Sequence, residues 1–202
     1  VMKKVLIVAG IVFGSLAAMT TAVTAQVQAR EASVSFGKVS QSAVVADFNY
    51  STDALDAVLK KRFADAKLPK AKTAAGKFKK MEGATWTEIS NDKMDYYYRL
   101  SGKKGKATLE IMASKGYDNF ITAQNDASSI QNIKNFMASL ESDLVKYSIQ
   151  ELMAAKEQEI KEAEKGLAKA EKALEAAKND LRKQDEGVNK LRGELEKLKA
   201  QQ

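Results

Sequence analysis

The chain of 202 residues contains no His, no Cys and a single Pro, Pro69. Without thiol or imidazole there is no Cys–His or Ser–His–Asp nucleophile, no Cys/His zinc site and no disulfide frame. The two-His metalloprotease helix is excluded on the same ground. Stability must come from packing alone. Carboxylate pairs such as Glu88 with Asp92 or Asp95 are the remaining route to hydrolysis. With 26 acidic residues in the chain, such pairings carry almost no information. The expected function is therefore non-catalytic, with no cofactor and no bound metal. Asp118 and Asn119 follow Gly116 and offer oxygen ligands, but calcium needs six or more, so a turn is the expected reading. Gly102 to Lys106 lacks the spacing and hydroxyl of a phosphate loop and reads as a hairpin turn.

What is present divides the chain into three. Lys3 and Lys4 precede an apolar run from Val5 to Ala18, followed by small and hydroxylated residues ending Ala22-Val23-Thr24-Ala25. A basic start, an apolar core and small residues before a cut describe a secretory signal peptide over 1–25, cleaved before Gln26. Val1 before Met2 reads as an alternative start codon. An uncleaved anchor is the rival reading, since Val5 to Ala25 is just long enough to cross a bilayer. Thr20, Thr21 and Thr24 argue against it, so a periplasmic or secreted location is expected, with no membrane span after cleavage. Removing the leader lowers the net charge from +7 to +5. From Glu151 onward 12 basic residues balance 12 acidic ones, so the excess charge lies in 26–150.

Residues 26–145 read as an α+β domain. Val44, Ala46, Phe48 and Tyr50 alternate with polar or smaller residues, as a half-buried strand requires. Ser51 or Thr52 caps a helix with Leu55, Val58, Leu59, Phe63 and Ala66 on one face, closed by Leu68-Pro69. A weaker extended stretch, Lys77 to Ile89, is interrupted by Gly83. Met94, Tyr96, Tyr98 and Leu100 form the next strand, and Ala107, Leu109, Ile111 and Ala113 return from the Gly102–Gly105 turn. A second helix begins near Asp126 or Ser128 with Ile130, Ile133, Met137, Leu140 and Leu144 on one face. This order predicts a small antiparallel sheet with helices on one face, continuing into a long C-terminal α-helix.

Residues 146–202 carry the most regular pattern in the chain. Ile160, Leu167, Leu174, Leu181, Val188 and Leu195 fall seven apart, and Ala163, Ala170, Ala177, Gln184, Leu191 and Leu198 follow each by three. That is a coiled-coil seam with bulky residues at a and mostly small or apolar ones at d. Glu157–Lys161 and Glu186–Lys190 are spaced to support the helix. A Leu stripe of this length does not stay in water. Another copy of the chain, a foreign protein or its own globular domain must cover it. Gly166 and Gly187 stand at g, and Asp180 and Asp185 would repel in a parallel dimer.

Two further candidates lie in the globular region. Between residues 60 and 80, Lys60, Lys61, Arg62, Lys67, Lys70, Lys72, Lys77, Lys79 and Lys80 stand against one acid, Asp65. Such a run is either a solvated helix end or a patch for an anionic envelope polymer; export makes nucleic acid an unsuitable partner. Trp86 and Tyr97, with Arg99 on the same strand face as Tyr97, are the candidate binding aromatics and their neighbour, because open rings on a sheet stack on sugars or bases. Strand propensity explains the same rings by packing.

The segment Ser114-Lys115-Gly116-Tyr117-Asp118-Asn119-Phe120-Ile121, with Ala46-Asp47-Phe48-Asn49-Tyr50 upstream, resembles uncharacterised secreted proteins of the Bacteroidota. Those have a small TATA-binding-protein-like α+β domain, a signal peptide and a charged helical tail. The resemblance implies location and architecture and no activity. The leading expectation is an envelope interaction protein associating through its tail. A holdase-type chaperone or an anionic-polymer binder is the alternative.

Overall fold

The structure, a computed structural model, describes residues 27–103, 105–117 and 119–201. The expected signal peptide, Asp118 and Lys104 lie outside the described residues. Six strands form one antiparallel sheet: β1 (Arg30–Phe36), β2 (Val39–Phe48), β3 (Lys72–Thr73), β4 (Lys79–Thr85), β5 (Lys93–Lys103) and β6 (Lys106–Ser114). Their spatial order is β1-β2-β6-β5-β4-β3. Helix α1 (Thr52–Asp65) and helix α2 (Ala127–Lys199) complete the fold, which is α+β with a long C-terminal helix. The chain divides into two units, 1–145 and 146–202.

In the first unit, period-2 alternation sets the core. Val44, Ala46, Phe48, Tyr96, Tyr98, Leu109 and Ile111 are buried on the helix-bearing side of the sheet. Helix α1 starts where Ser51 Oγ accepts from the Ala54 N–H at 3.1 Å, and it buries Leu55, Val58, Leu59 and Phe63. It ends in a Schellman arrangement, with Leu68 N–H on Phe63 O and Lys67 N–H on Ala64 O, both at 2.9 Å. Lys67 occupies the left-handed position there at φ 53°, where glycine is the usual residue. At the start of α2, Asp126 Oδ1 accepts from the Ser129 N–H at 3.1 Å. Ile130, Ile133, Phe136, Met137, Leu140 and Leu144 then point inward at helical spacing. Trp86 sits at the junction, edge-on to Phe136 at 4.7 Å, Tyr96 at 5.2 Å and Phe63 at 5.5 Å. It joins α1, β5 and α2 through one indole.

The reverse side of the sheet has its own smaller cluster: Val34, Ala43, Val45, Phe78, Tyr97, Met112 and Phe120. Three features close it. Phe36 packs edge-on against Phe78, Tyr97 and Phe120 at 5.3 to 5.7 Å. The 3-10 turn Ala75–Lys77 lies against the β1–β2 hairpin, where a Cβ on Gly76 would meet Gly37 N at 3.0 Å and Ser35 O at 3.1 Å. Residues 119–121 lie back along the end of β6, where Ser114 bridges Phe120 and the Ile121 N–H reaches Ala113 O at 2.9 Å. A bulge between Met81 and Ala84 lets β4 turn, with Gly83 at φ 57°.

The second unit is helix throughout, up to Lys199. From Ser148 to Gln201 every described residue is exposed. Among the described residues no helix is long and apolar enough to cross a membrane.

Candidate interaction surfaces

The seam residues lie on the second unit. Ile160, Leu167, Leu174, Leu181, Val188, Leu191, Leu195 and Leu198 are 48 to 65 % exposed in the single chain. Ala163, Ala170 and Ala177 are exposed with them. An α-helix advances about 1.5 Å per residue with side chains at i, i+3 and i+7 on one side. The eleven positions therefore form one stripe, because the helix continues without interruption through Lys199. Ion pairs along it are local: Lys156–Glu159 at 2.7 Å, Arg182–Glu186 at 3.9 Å and Lys199–Glu196 at 2.9 Å. Glu186 thus pairs backward with Arg182 rather than forward with Lys190. Contacts of this kind hold a helix by tenths of a kcal/mol each and cover none of its apolar stripe.

The basic run is dispersed by the fold. Lys60 pairs with Asp56 at 2.6 Å and Lys61 with Asp65 at 2.8 Å. Arg62 lies over the Phe136 ring and meets Glu88 at 2.6 Å and Asp143 at 3.5 Å. Lys72 and Lys80 share Glu82, at 3.8 and 3.6 Å, and Lys80 also holds Asp95 at 2.9 Å. Lys79 lies over Tyr98 with Asp56 at 3.8 Å. Only Lys67, Lys70 and Lys77 make no ion pair among the described residues. Counting along 60–80 sees one acid. The folded surface brings in Asp56 from α1, Glu82 from β4, Glu88 from the turn after β4, Asp95 from β5 and Asp143 from α2. The electrostatic surplus is accordingly small.

Ion pairing is reflected in the acidities. The Asp95 hydrogen bond raises the Lys80 ammonium against the opposing effect of its burial. Burial would raise Asp95, but the Lys80 hydrogen bond and the Gly83 N–H, at 2.7 Å, hold it below the usual carboxylate range. The exposed Lys60 and Lys61 are raised by hydrogen bonds to Asp56 and Asp65. None of these groups is left poised to exchange protons near neutrality.

An open cleft of about 480 Å³ lies between α1 and β4, floored by Phe63, Leu68, Pro69, Met81 and Tyr98. Lys60, Lys70 and Lys79 stand at its rim. There part of the basic run and an apolar surface come together.

The aromatic expectation is corrected. Trp86 is 1 % and Tyr97 5 % exposed, so neither ring is open for stacking. Trp86 is the centre of the main core. Tyr97 does point to the side opposite Met94, as alternation requires, but Phe36 and Phe120 cover that side. Arg99, its neighbour on the same face, is committed to structure as well. Its guanidinium makes a two-point pair with Glu110 and donates to Gly76 O at 2.8 Å and Ser35 O at 3.2 Å. It also stacks on Phe78 at 4.3 Å. Arg99 thereby ties β5 and β6 to the end of β1 and to the 3-10 turn that roofs the reverse cluster.

Among the described residues no three Asp or Glu side chains gather in a metal-holding group. No protein-family model, no curated protein and no solved structure matches the chain.

Proposed function

We propose that the protein is a non-catalytic interaction protein of the bacterial envelope that associates through the seam of α2. One observation carries this reading: an uninterrupted heptad stripe on which every large apolar residue from Ile160 to Leu198 is about half exposed or more. Apolar surface contributes roughly 25 cal/mol per Å² when it leaves water, so a stripe this long favours a helical partner strongly. A second copy of the chain is the simplest partner, because homomeric pairing needs no other component. The envelope assignment rests on the leader-like pattern of Lys3 to Ala25.

Static light scattering tests the association. The chain is expected to have a multiple of its monomer mass, and a truncation after Gln150 is expected to be monomeric. Equal, single-chain masses for both would overturn self-association. The anionic-polymer reading keeps three unpaired lysines and the cleft rim in its support. It is the weaker reading, because most of the run's charge is already neutralised at short range.

A further inference from the structure

We infer that two copies of the α2 tail pair antiparallel, in the register that sets Leu174 opposite Leu191. The inference rests on the self-association proposed above and adds its geometry. In a coiled coil, the residues flanking the seam at e and g decide orientation and register through charge. Here the e positions read Glu157, Glu164, Glu171, Lys178, Asp185, Arg192 and Lys199, acidic early and mostly basic late. The g positions read Glu159, Gly166, Ala173, Asp180, Gly187, Glu194 and Gln201.

A parallel, in-register pair places each g beside the e of the next heptad. It sets Glu159 against Glu164 and Asp180 against Asp185, with only Glu194–Lys199 attractive. Its d layers would also place Ala163, Ala170, Ala177 and Gln184 each against its own copy. Four d layers, alternating with the leucine a layers, would then lack a large apolar side chain.

An antiparallel pair brings e beside e and a opposite d. With Leu174 opposite Leu191, the flanking pairs are Glu164–Lys199, Glu171–Arg192 and Lys178–Asp185, each made twice by symmetry. All are opposite in sign. The g pairs are Gly166–Gln201, Ala173–Glu194 and Asp180–Gly187, and none is repulsive. In the core Leu167 meets Leu198, Ala170 meets Leu195, Ala177 meets Val188 and Leu181 meets Gln184. Every alanine in the overlap faces a large residue, which keeps the layers even in width.

Neighbouring registers lose this match. Sliding one heptad so that Leu174 faces Gln184 opposes Glu171 to Asp185 and places Lys178 and Asp180 each against its own copy. Sliding the other way, with Leu174 opposite Leu198, opposes Lys178 to Arg192 and Asp185 to itself. A second observation supports the assignment. Glu164, Glu171, Lys178, Asp185 and Arg192 make no ion pair or hydrogen bond within their own chain among the described residues.

The lack of native Cys makes crosslinking a clean test. Separate Ala170→Cys, Leu195→Cys and Val188→Cys chains are prepared, the first carrying a mass tag, then mixed in pairs, equilibrated under reduction and oxidised. Ala170→Cys with Leu195→Cys is expected to give the mixed disulfide as the main product, and neither variant alone is expected to crosslink. Crosslinking of Ala170→Cys to itself would overturn the orientation, and preferential crosslinking to Val188→Cys would overturn the register. Single-chain mass of the unmodified protein would instead overturn the underlying association. A charge exchange gives a second readout. Glu171→Lys is expected to weaken the dimer about tenfold, two attractions becoming two repulsions. Adding Arg192→Glu to the same chain is expected to restore it, and failure to restore contradicts the pairing.

Discussion

Arg99 gives the sharpest test of how the reverse face of the sheet is held. Its side chain is 21 % exposed and that of its partner Glu110 12 %, so both charges are largely withdrawn from water. Arg99→Ala removes the two-point pair with Glu110, the donors to Ser35 O and Gly76 O, and the stack on Phe78. Hydrogen bonds to charged groups contribute about 1.5–3 kcal/mol, and stranding one member of a buried pair costs about 3–5 kcal/mol. Residual exposure lets water reach Glu110, so the expected loss is about 3 kcal/mol. Removing both charges is different in kind. Arg99→Met with Glu110→Leu strands no ion, and the expected loss is about 1 kcal/mol, less than that of Arg99→Ala alone. Urea unfolding followed by Trp86 fluorescence measures both, since the only Trp lies in the main core at 1 % exposure. A loss below about 0.5 kcal/mol for Arg99→Ala would refute the argument. So would a double variant at least as unstable as the single one, because it would mean that the pair is not coupled.

Other outcomes follow from the same structure. Lys67→Gly relieves a left-handed backbone at φ 53° and is expected to stabilise the first unit by about 0.5–1 kcal/mol in the same urea titration. Gly76→Ala is expected to destabilise by about 1–2 kcal/mol, since the new Cβ meets backbone at 3.0 and 3.1 Å and φ is 63°; an unchanged midpoint would contradict the close approach. Acid should cost stability. Glu31 is held below the ordinary range by its Lys134 hydrogen bond, and Asp47 by its Thr108 hydrogen bond and then Arg30. In Asp126 burial opposes the shift, and the Ser129 N–H and Lys115 outweigh it. Groups lowered in the folded state stabilise it fully above their unfolded values and lose that contribution as pH falls through the folded ones. The unfolding midpoint should therefore hold from pH 7 to about 5 and fall below about 4. At the alkaline end burial pushes the Tyr96 phenol from 10.0 up to about 12, so a separate loss is expected as pH climbs through that interval.

How much of this was legible in the sequence depends on whether a signal is local. The α1 face, the 94–100 and 107–113 strands and the inward stripe from Ile130 to Leu144 could be read from spacing. Each needs only neighbours within two to four residues, and apart from the half-buried Leu100 each strand and helix face is buried as expected. Ala66 is the exception on α1; it falls just past the last turn and is exposed. Strand β1 was not foreseen. Its signal was present in the alternation of Ala32, Val34 and Phe36 before the two-residue Gly37-Lys38 turn. The two-residue β3 was too short to leave a pattern. Trp86, Tyr97 and Arg99 failed as candidate binding residues because their cover comes from afar. Phe36 and Phe120 lie 61 and 23 residues from Tyr97, and no window of sequence joins them. The acids that pair with the lysine run were illegible for the same reason, since Glu88 and Asp143 reach Arg62 only in the fold. The heptad stripe was fully legible, and its large residues are exposed along the helix.

Sedimentation equilibrium over a wide concentration range, on the chain and on a Leu174→Asp/Leu181→Asp variant, tests the central claim most directly. Two charges placed in the seam leave the first unit untouched and make burial of the stripe unfavourable. The expected result is twice the monomer mass for the unaltered chain and the monomer mass for the variant. A single-chain mass for both at every concentration would contradict the claim that the exposed stripe is where copies of this protein meet.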